Sequence, residues 1–179
     1  MRIYYDTEFA EDGRTIKLIS IGMVAEDGRE LYAVNDAIAA KPLYERVSGD
    51  PWLMEHVIPH LPLRSHTSST FDLDVSSRVV MPRRRIRDAV AMFIADTPDP
   101  ELWADYSAYD HVVLAQLWGR MVDMPSGVPG WTNDFRQELH RLGNPVLPAQ
   151  TGRLHHALAD ARYLRVSAEY LAGLQSLLV

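Results

Sequence analysis

RIYYDTEF, residues 2–9, is the stretch whose reading decides the fold. Tyr and Ile in a short apolar run favour a strand, and the run closes on Asp6-Thr7-Glu8. Successive strand side chains point to opposite faces, so Asp6 and Glu8 share one. Two carboxylates that close repel, and each raises the other's pKa unless a cation lies between them. A hard divalent metal ion, which prefers oxygen ligands, relieves that repulsion. A lone D-x-E is a weak motif, and a strand end with two solvated acids is its plainer meaning. A metal site requires the chain to supply more acids.

At 179 residues the chain is expected to form one domain, residues 1–179, large enough for a sizeable core. Its 47% hydrophobic and 23% charged residues are ordinary for a globular protein. No run of about 18 apolar residues occurs, so no membrane helix is expected. MRIYYDTEF, residues 1–9, lacks an apolar h-region and reads as the start of the fold, not a signal peptide. The absence of cysteine removes disulfides, thiolate catalysis and cysteine zinc sites, and a cytoplasmic location is the default expectation. The net charge of −6 argues against a broad basic grip on nucleic acid. It is compatible with acids that hold metal ions.

Outward from the first strand, the Asp-Gly pairs at 12–13 and 27–28 signal hairpins. Between them IKLISIGMVAE, residues 16–26, suits a strand buried on both faces. With Glu30–Val34, this predicts a three-strand meander. Residues 36–81 are broken by Pro42, Pro51, Pro59 and Pro62. Short helices are expected around Leu43–Arg46 and Trp52–His60, with a surface loop over Ser65–Ser77. Pro82 is expected to open a helix to about Ala95, followed by a strand over Leu102–Tyr106. Helical spacing then predicts helices over Tyr109–Val122 and over Thr132–Leu142, the second capped by Thr132 or Asn133 and stopped by Gly143. A last helix carries Leu158, Ala161, Leu164, Ala168, Leu171 and Leu178. The order predicts an α/β or α+β fold with a mixed sheet.

The later acids fall on apolar faces. Asp110 lies three and four residues before Val113 and Leu114, on the inward side of a helix start. Asp160 follows Ala157 by three residues and precedes Leu164 by four. A lone buried carboxylate costs several kcal/mol or neutralises itself, so a metal shared by Asp6, Glu8, Asp110 and Asp160 would satisfy all four. Taken singly, Asp110 could serve the helix dipole, and Asp160 could pair with Arg162 or Arg165. His155-His156 precede Asp160, and a histidine there could take a proton from a nucleophile. Helix spacing favours His156, four residues from Asp160. His155 reaches the site only from a preceding loop, which Gly152 allows.

These residues resemble the DEDDh family of 3′-to-5′ exonucleases, whose fold is ribonuclease H-like. Its D-x-E motif is matched by Asp6-Thr7-Glu8. Its aromatic-Asp pair at a helix start is matched by Tyr109-Asp110 in LWADYSAYDHVVL, and its H-x4-D by His155 and Asp160 in HHALAD. The resemblance spans residues 6–160 and favours His155 over His156. It implies an α/β fold: an antiparallel meander plus parallel strands in one mixed sheet, flanked by helices. It also implies two-metal hydrolysis with two Mg2+ ions per site, Mn2+ being possible. Asp6, Glu8 and Asp160 would hold the ion that activates water, Asp6 and Asp110 the second, and His155 would be the general base. Within the family the chain is most similar to an actinobacterial RNA-degrading branch. That likeness implies single-stranded RNA or an RNA 3′ overhang as substrate, a preference for adenosine, 5′-mononucleotide products and a homodimer. The apolar tail Leu171–Val179 adds local support for the dimer.

The usual His-Asn ahead of the second acid is replaced by Asp105-Tyr106, and Asp105 could compete with Asp110 for its role. Asp110 ranks first because it holds the helix-start position. Phe9 and Tyr109 are placed to pack against a terminal base, or could be core residues. Arg83, Arg84, Arg85 and Arg87 could contact phosphates, or form a solvated helix start. The alternative functions are a DNA exonuclease or proofreading-type subunit on the same site, and a non-catalytic nucleic-acid-binding module. An aspartate-rich phosphatase is weaker, since no nucleophile motif occurs.

Overall fold

The apolar run after the first hairpin forms β2 (Ile16–Ala25), buried along eight of its ten residues. That burial follows from its place inside a six-stranded sheet. We describe a computed structural model covering residues 1–176; Leu178 and the end of the apolar tail lie outside the described residues.

β1 (Arg2–Glu11) and β3 (Glu30–Asn35) pair antiparallel with β2, one on each side. The two Asp-Gly turns place Gly13 and Gly28 at φ of 75° and 89°, where glycine carries no Cβ penalty. β6 (Val80–Met81) and β7 (Glu101–Ala104) add parallel to β3 and β1, and β8 (Asn133–Asp134) adds parallel to β7. The order is therefore β6-β3-β2-β1-β7-β8, the mixed sheet implied by the ribonuclease H-like resemblance.

Helices cover both faces. α3 (Arg83–Ala95) and α4 (Ser107–Ala115) bury Ile86, Val90, Val113 and Leu114 against Ile3, Tyr5 and Ile21. On the other face α5 (Phe135–Arg141) and α6 (Ala157–Ser176) pack Phe135, Leu139 and Leu164 around Tyr4. The face assignment follows the period of β1, since Ile3 and Tyr5 point one way and Tyr4 the other. A third cluster is built by α1 (Leu43–Ser48) and α2 (Pro51–His56), with Ile38 and Ile58.

Three local expectations are corrected. The Ser65–Ser77 stretch is not one loop: β4 (Leu63–His66) and β5 (Phe71–Leu73) form a two-stranded sheet. Phe71 and Leu73 turn inward while Asp72 stays out, because β5 alternates. The helix expected over Tyr109–Val122 ends at Ala115 and passes through a 3-10 turn to Gly119, at φ 99°. Met121 and Val122 are consequently exposed. α5 is capped by Asp134, whose side chain accepts from the Gln137 N–H, and not by Thr132 or Asn133. Asn133 is instead spent on β8, where its side chain donates to the Leu102 carbonyl at 3.1 Å.

Candidate active site

β7 pairs with β1 only from Arg2 to Tyr4. Beyond Tyr4, β1 loses that neighbour while keeping β2 on its other side, with Asp6 opposite Gly22 and Glu8 opposite Ser20. A cleft of about 380 Å3 opens there, lined by Asp6, Asp105, Tyr106, Arg136, His155 and Asp160 among others. The acids thus sit where a central strand becomes accessible on one side.

α6 brings in Asp160. Its first turn lies directly on β2 at Gly22, where a Cβ would meet the Leu158 nitrogen at 2.3 Å and the Ala157 carbonyl carbon at 2.4 Å. Only glycine permits that approach, and the approach sets Asp160 beside β1. Asp6, Glu8 and Asp160 each turn a carboxylate oxygen into one cluster, with those oxygens within 4.8 Å of one another. Asp160 Oδ1 accepts from Gln150 Nε2 at 2.6 Å, and Oδ2 accepts from the His156 N–H at 3.0 Å. Each oxygen retains a lone pair. Arg162 and Arg165 pair with Glu30 and Glu169 instead of Asp160.

Asp110 stands apart from this trio. It is 4% exposed, and its Oδ1 accepts from both the Thr7 N–H at 2.8 Å and the Thr7 hydroxyl at 2.6 Å. Thr7, between the two acids, therefore anchors the third from the opposite face of β1. Asp105, the competing acid, is paired with Arg136 at 2.7 Å, and Arg136 also lies over the Tyr106 ring at 4.9 Å.

Burial is the first cause of raised pKa values here, and neighbouring acids add to it. Asp6 is pushed well above the carboxylate range by burial, then by Asp110, Glu8 and Asp160. Glu8 is pushed up to about 8 by burial, then by Asp160 and Asp110. Asp110 is pushed up to about 7 by burial, against the lowering effect of its Thr7 hydrogen bonds. Among the described residues no Lys or Arg pairs with Asp6, Glu8, Asp110 or Asp160. An all-oxygen donor set lacking a protein cation fits a hard divalent ion.

The two histidines diverge. His155 lies just before α6 at φ 56°, lines the cleft, and meets the edge of Trp52 at 4.9 Å with His56 at 5.6 Å. His156 turns the other way, stacking on Tyr32 at 4.5 Å, and its Nδ1 accepts from the Ala159 N–H at 3.3 Å. Phe9 and Tyr109 stack on each other at 6.0 Å, outside the residues that line the cleft; Tyr106 lines it instead. Arg83, Arg84, Arg85 and Arg87 lie on α3, across the sheet from α6, with Arg87 paired to Asp88.

Thr7, Gly22, Arg136 and Gln150 take part in the site although sequence reasoning passed over them. A glycine inside the apolar run of β2 is a readable sign of close backbone approach. The other three act through tertiary contacts that carry no local signal.

An acid cluster at the open edge of a central strand, beside a cleft holding a histidine, is suited to metal-assisted hydrolysis of phosphate esters. The chain is 43% identical over 164 residues to 3′-5′ exoribonucleases from two strains of Mycobacterium tuberculosis, CDC 1551 / Oshkosh and ATCC 25618 / H37Rv. The match spans 90% of this chain and 88% of each relative. The chain belongs to this 3′-5′ exoribonuclease family. No family model matches it. A structure of S. pombe Pop2p, in its Mg2+- and Mn2+-bound form, is similar at a TM-score of 0.48 and 14% identity, over 96% of this chain and 84% of that one.

Proposed function

We propose that this chain, as one exonuclease domain over residues 1–179, hydrolyses single-stranded RNA or RNA 3′ overhangs from the 3′ end to nucleoside 5′-monophosphates. The observation that carries this reading is the meeting of Asp6, Glu8 and Asp160 oxygens within 4.8 Å, beside a cleft that His155 also lines. Mg2+ is the cofactor we assign, two ions per site, with Mn2+ able to replace it. Asp6, Glu8 and Asp160 would hold one ion, and Asp6 and Asp110 would hold the other. Such ions neutralise charge developing on the phosphoryl oxygens and make water a better nucleophile.

The chain's own groups supply positioning and proton transfer. His155 takes the proton from the attacking water, a role for which an imidazole is matched near neutral pH. Gln150 and the His156 N–H fix the Asp160 carboxylate, and Thr7 fixes that of Asp110. Phe9 and Tyr109 offer aromatic surface to unpaired bases. Identity with the mycobacterial exoribonucleases supports RNA as the substrate. The adenosine preference and the homodimer follow from the resemblance to the actinobacterial polyadenylate-specific 3′-5′ exoribonuclease, and a cytoplasmic location is proposed as the default for a chain without cysteine.

Side-by-side digestion of RNA and DNA oligomers of one sequence, and of the four homopolymeric RNAs, tests this reading in Mg2+. Mononucleotides released from RNA, fastest from polyadenylate, support it. Preferential digestion of DNA would transfer the site to the DNA exonuclease alternative. Binding without turnover would make the chain a binding module.

A further inference from the structure

Two clefts outside the acid site are bordered by α4 or its C-cap Gln116, and α4 also carries Asp110. Tyr109, Val112 and Gln116 follow one another at helical spacing, so they form one stripe. Tyr109 and Val112 are 57% and 48% exposed. Tyr109 heads the stripe, one residue before Asp110, and stacks on Phe9, one residue after Glu8. Tyr109, Val112 and Gln116 also line a cleft of about 400 Å3 with Arg14 and Thr15. Gln116 then borders a second cleft of about 270 Å3, where Lys17, Arg46 and Arg83 converge beside the apolar surfaces of Leu18, Pro42 and Leu43. The stripe is about 10 Å long at 1.5 Å per helical residue. Lys17 pairs with Ala10, about 13 Å along β1 from Asp6.

Cations outnumber acids where this path ends. Among the described residues no acid lines the second cleft, and Glu11 is the acid that borders the first. Arg46 is held by Asp12 at 2.7 Å and by Thr15, and Arg83 donates to the Gln116 carbonyl. Lys17 has no ion pair among the described residues and is exposed. A concentration of cations beside exposed apolar surface stands out on a chain of net charge −6.

We propose that the α4 stripe and the Lys17–Arg46–Arg83 cleft form an upstream track for the RNA strand whose 3′ end lies among the acids. This rests on the exoribonuclease reading and adds to it a second binding region. Bases pack on Tyr109 and Val112, and a backbone phosphate further 5′ is held by Lys17 and Arg83. Apolar platforms alternating with cations are how unpaired strands are gripped without sequence readout. The consequence is a length preference: an RNA too short to reach Lys17 gains nothing from the track.

The test uses Lys17→Ala and Val112→Glu, both at exposed positions, with a dinucleotide and a dodecamer of RNA as substrates. The track predicts that Val112→Glu raises KM for the dodecamer roughly tenfold, because the carboxylate removes apolar packing surface and repels the strand's phosphates. Lys17→Ala lowers the salt slope of dodecamer binding by about 0.7, one phosphate contact on a single strand. Turnover of the dinucleotide stays at the wild-type level in both. Equal losses on both substrates, or no change on the dodecamer, would overturn the track. So would a Val112→Glu protein whose sedimentation shows a dimer broken to monomers with both activities reduced, because the stripe would then be covered by a second copy. Wild-type release of mononucleotides from the dodecamer, read in the same assay, separates the two ideas. If it occurs and the variants match wild type, only the track fails; if it is absent, both fall.

Discussion

β1 and the segment from Gln150 to Asp160 hold the two halves of the site in different ways. Asp6 and Glu8 are fixed by a strand paired to β2 along its length, and Glu8 is only 8% exposed. His155 and Asp160 are fixed by a loop and a first helical turn, through Gln150, the His156 N–H and a packing contact at Gly22. The strand half is rigid and electrostatically strained, with carboxylates crowded together and no protein cation. The helix half depends on where α6 sits. Changes in the first half should therefore remove chemistry while sparing the fold, and changes in the second should also shift position and stability.

Asp6→Asn sharpens this contrast most. It removes the acid common to both proposed ions, so release of mononucleotides should fall by about a thousandfold or more, the scale of lost metal-assisted catalysis. The variant should stay folded by circular dichroism and melt no lower than wild type without metal, since one repelling carboxylate is gone. Wild-type turnover in the purified variant would break the assignment of the strand half.

His155→Ala should lower kcat by about 10^2–10^4, the range for a lost general base. His156→Ala should change kcat only a few-fold and lower stability by about 1–2 kcal/mol, through loss of the Tyr32 stack and the Ala159 hydrogen bond. The reverse order in a rate comparison would restore the helix-spacing argument for His156.

Gly22→Ala probes the position of α6. The added Cβ cannot coexist with Leu158 and Ala157 backbone atoms at 2.3–2.4 Å. The helix must move, at a cost of about 1–3 kcal/mol as for overpacking, and Asp160 moves with it. Both melting temperature and kcat should fall. A fall in neither would show that α6 does not rest on Gly22.

The same contrast is read, without any substitution, from the effect of pH on the metal-free protein. Glu8 and Asp110, raised to about 8 and about 7, keep protons in the folded state that the unfolded chain releases at ordinary carboxylate pKa values. The folded state then binds more protons between about pH 4.5 and 8, so stability falls as pH rises through that window. Thermal unfolding in EDTA across this range should show it. Stability that rises over the window would contradict the electrostatic picture of the strand half.

The same contrast explains what could be read from sequence. The strand half was legible because a period of two puts Asp6 and Glu8 on one face whatever the rest does. The meander was legible because Asp-Gly turns punctuate it. The inward position of Asp110 followed from its spacing to Val113 and Leu114. The helix half was harder. Helix spacing alone chose His156, and only the family resemblance moved the choice to His155, which reaches the cleft through a left-handed backbone at φ 56°. Asp134 took the cap of α5 because Asn133 and Asp134 form a two-residue strand, too short to show a period. Phe71-Asp72-Leu73 did alternate, but the signal sat inside a Ser/Thr-rich stretch that reads as loop. The pairing of Arg136 with Asp105 joins residues 31 apart and leaves no trace in local sequence.

The central claim is that the crowded carboxylates are a divalent-ion site built around Asp6. Its most direct test is the change in unfolding temperature on adding Mg2+ at pH 8, in wild type and in Asp6→Asn. The ion binds the folded state, relieves the repulsion and stabilises by mass action, so wild type should gain several degrees and the variant little or nothing. An equal gain in both proteins, or no gain in wild type, would contradict the account.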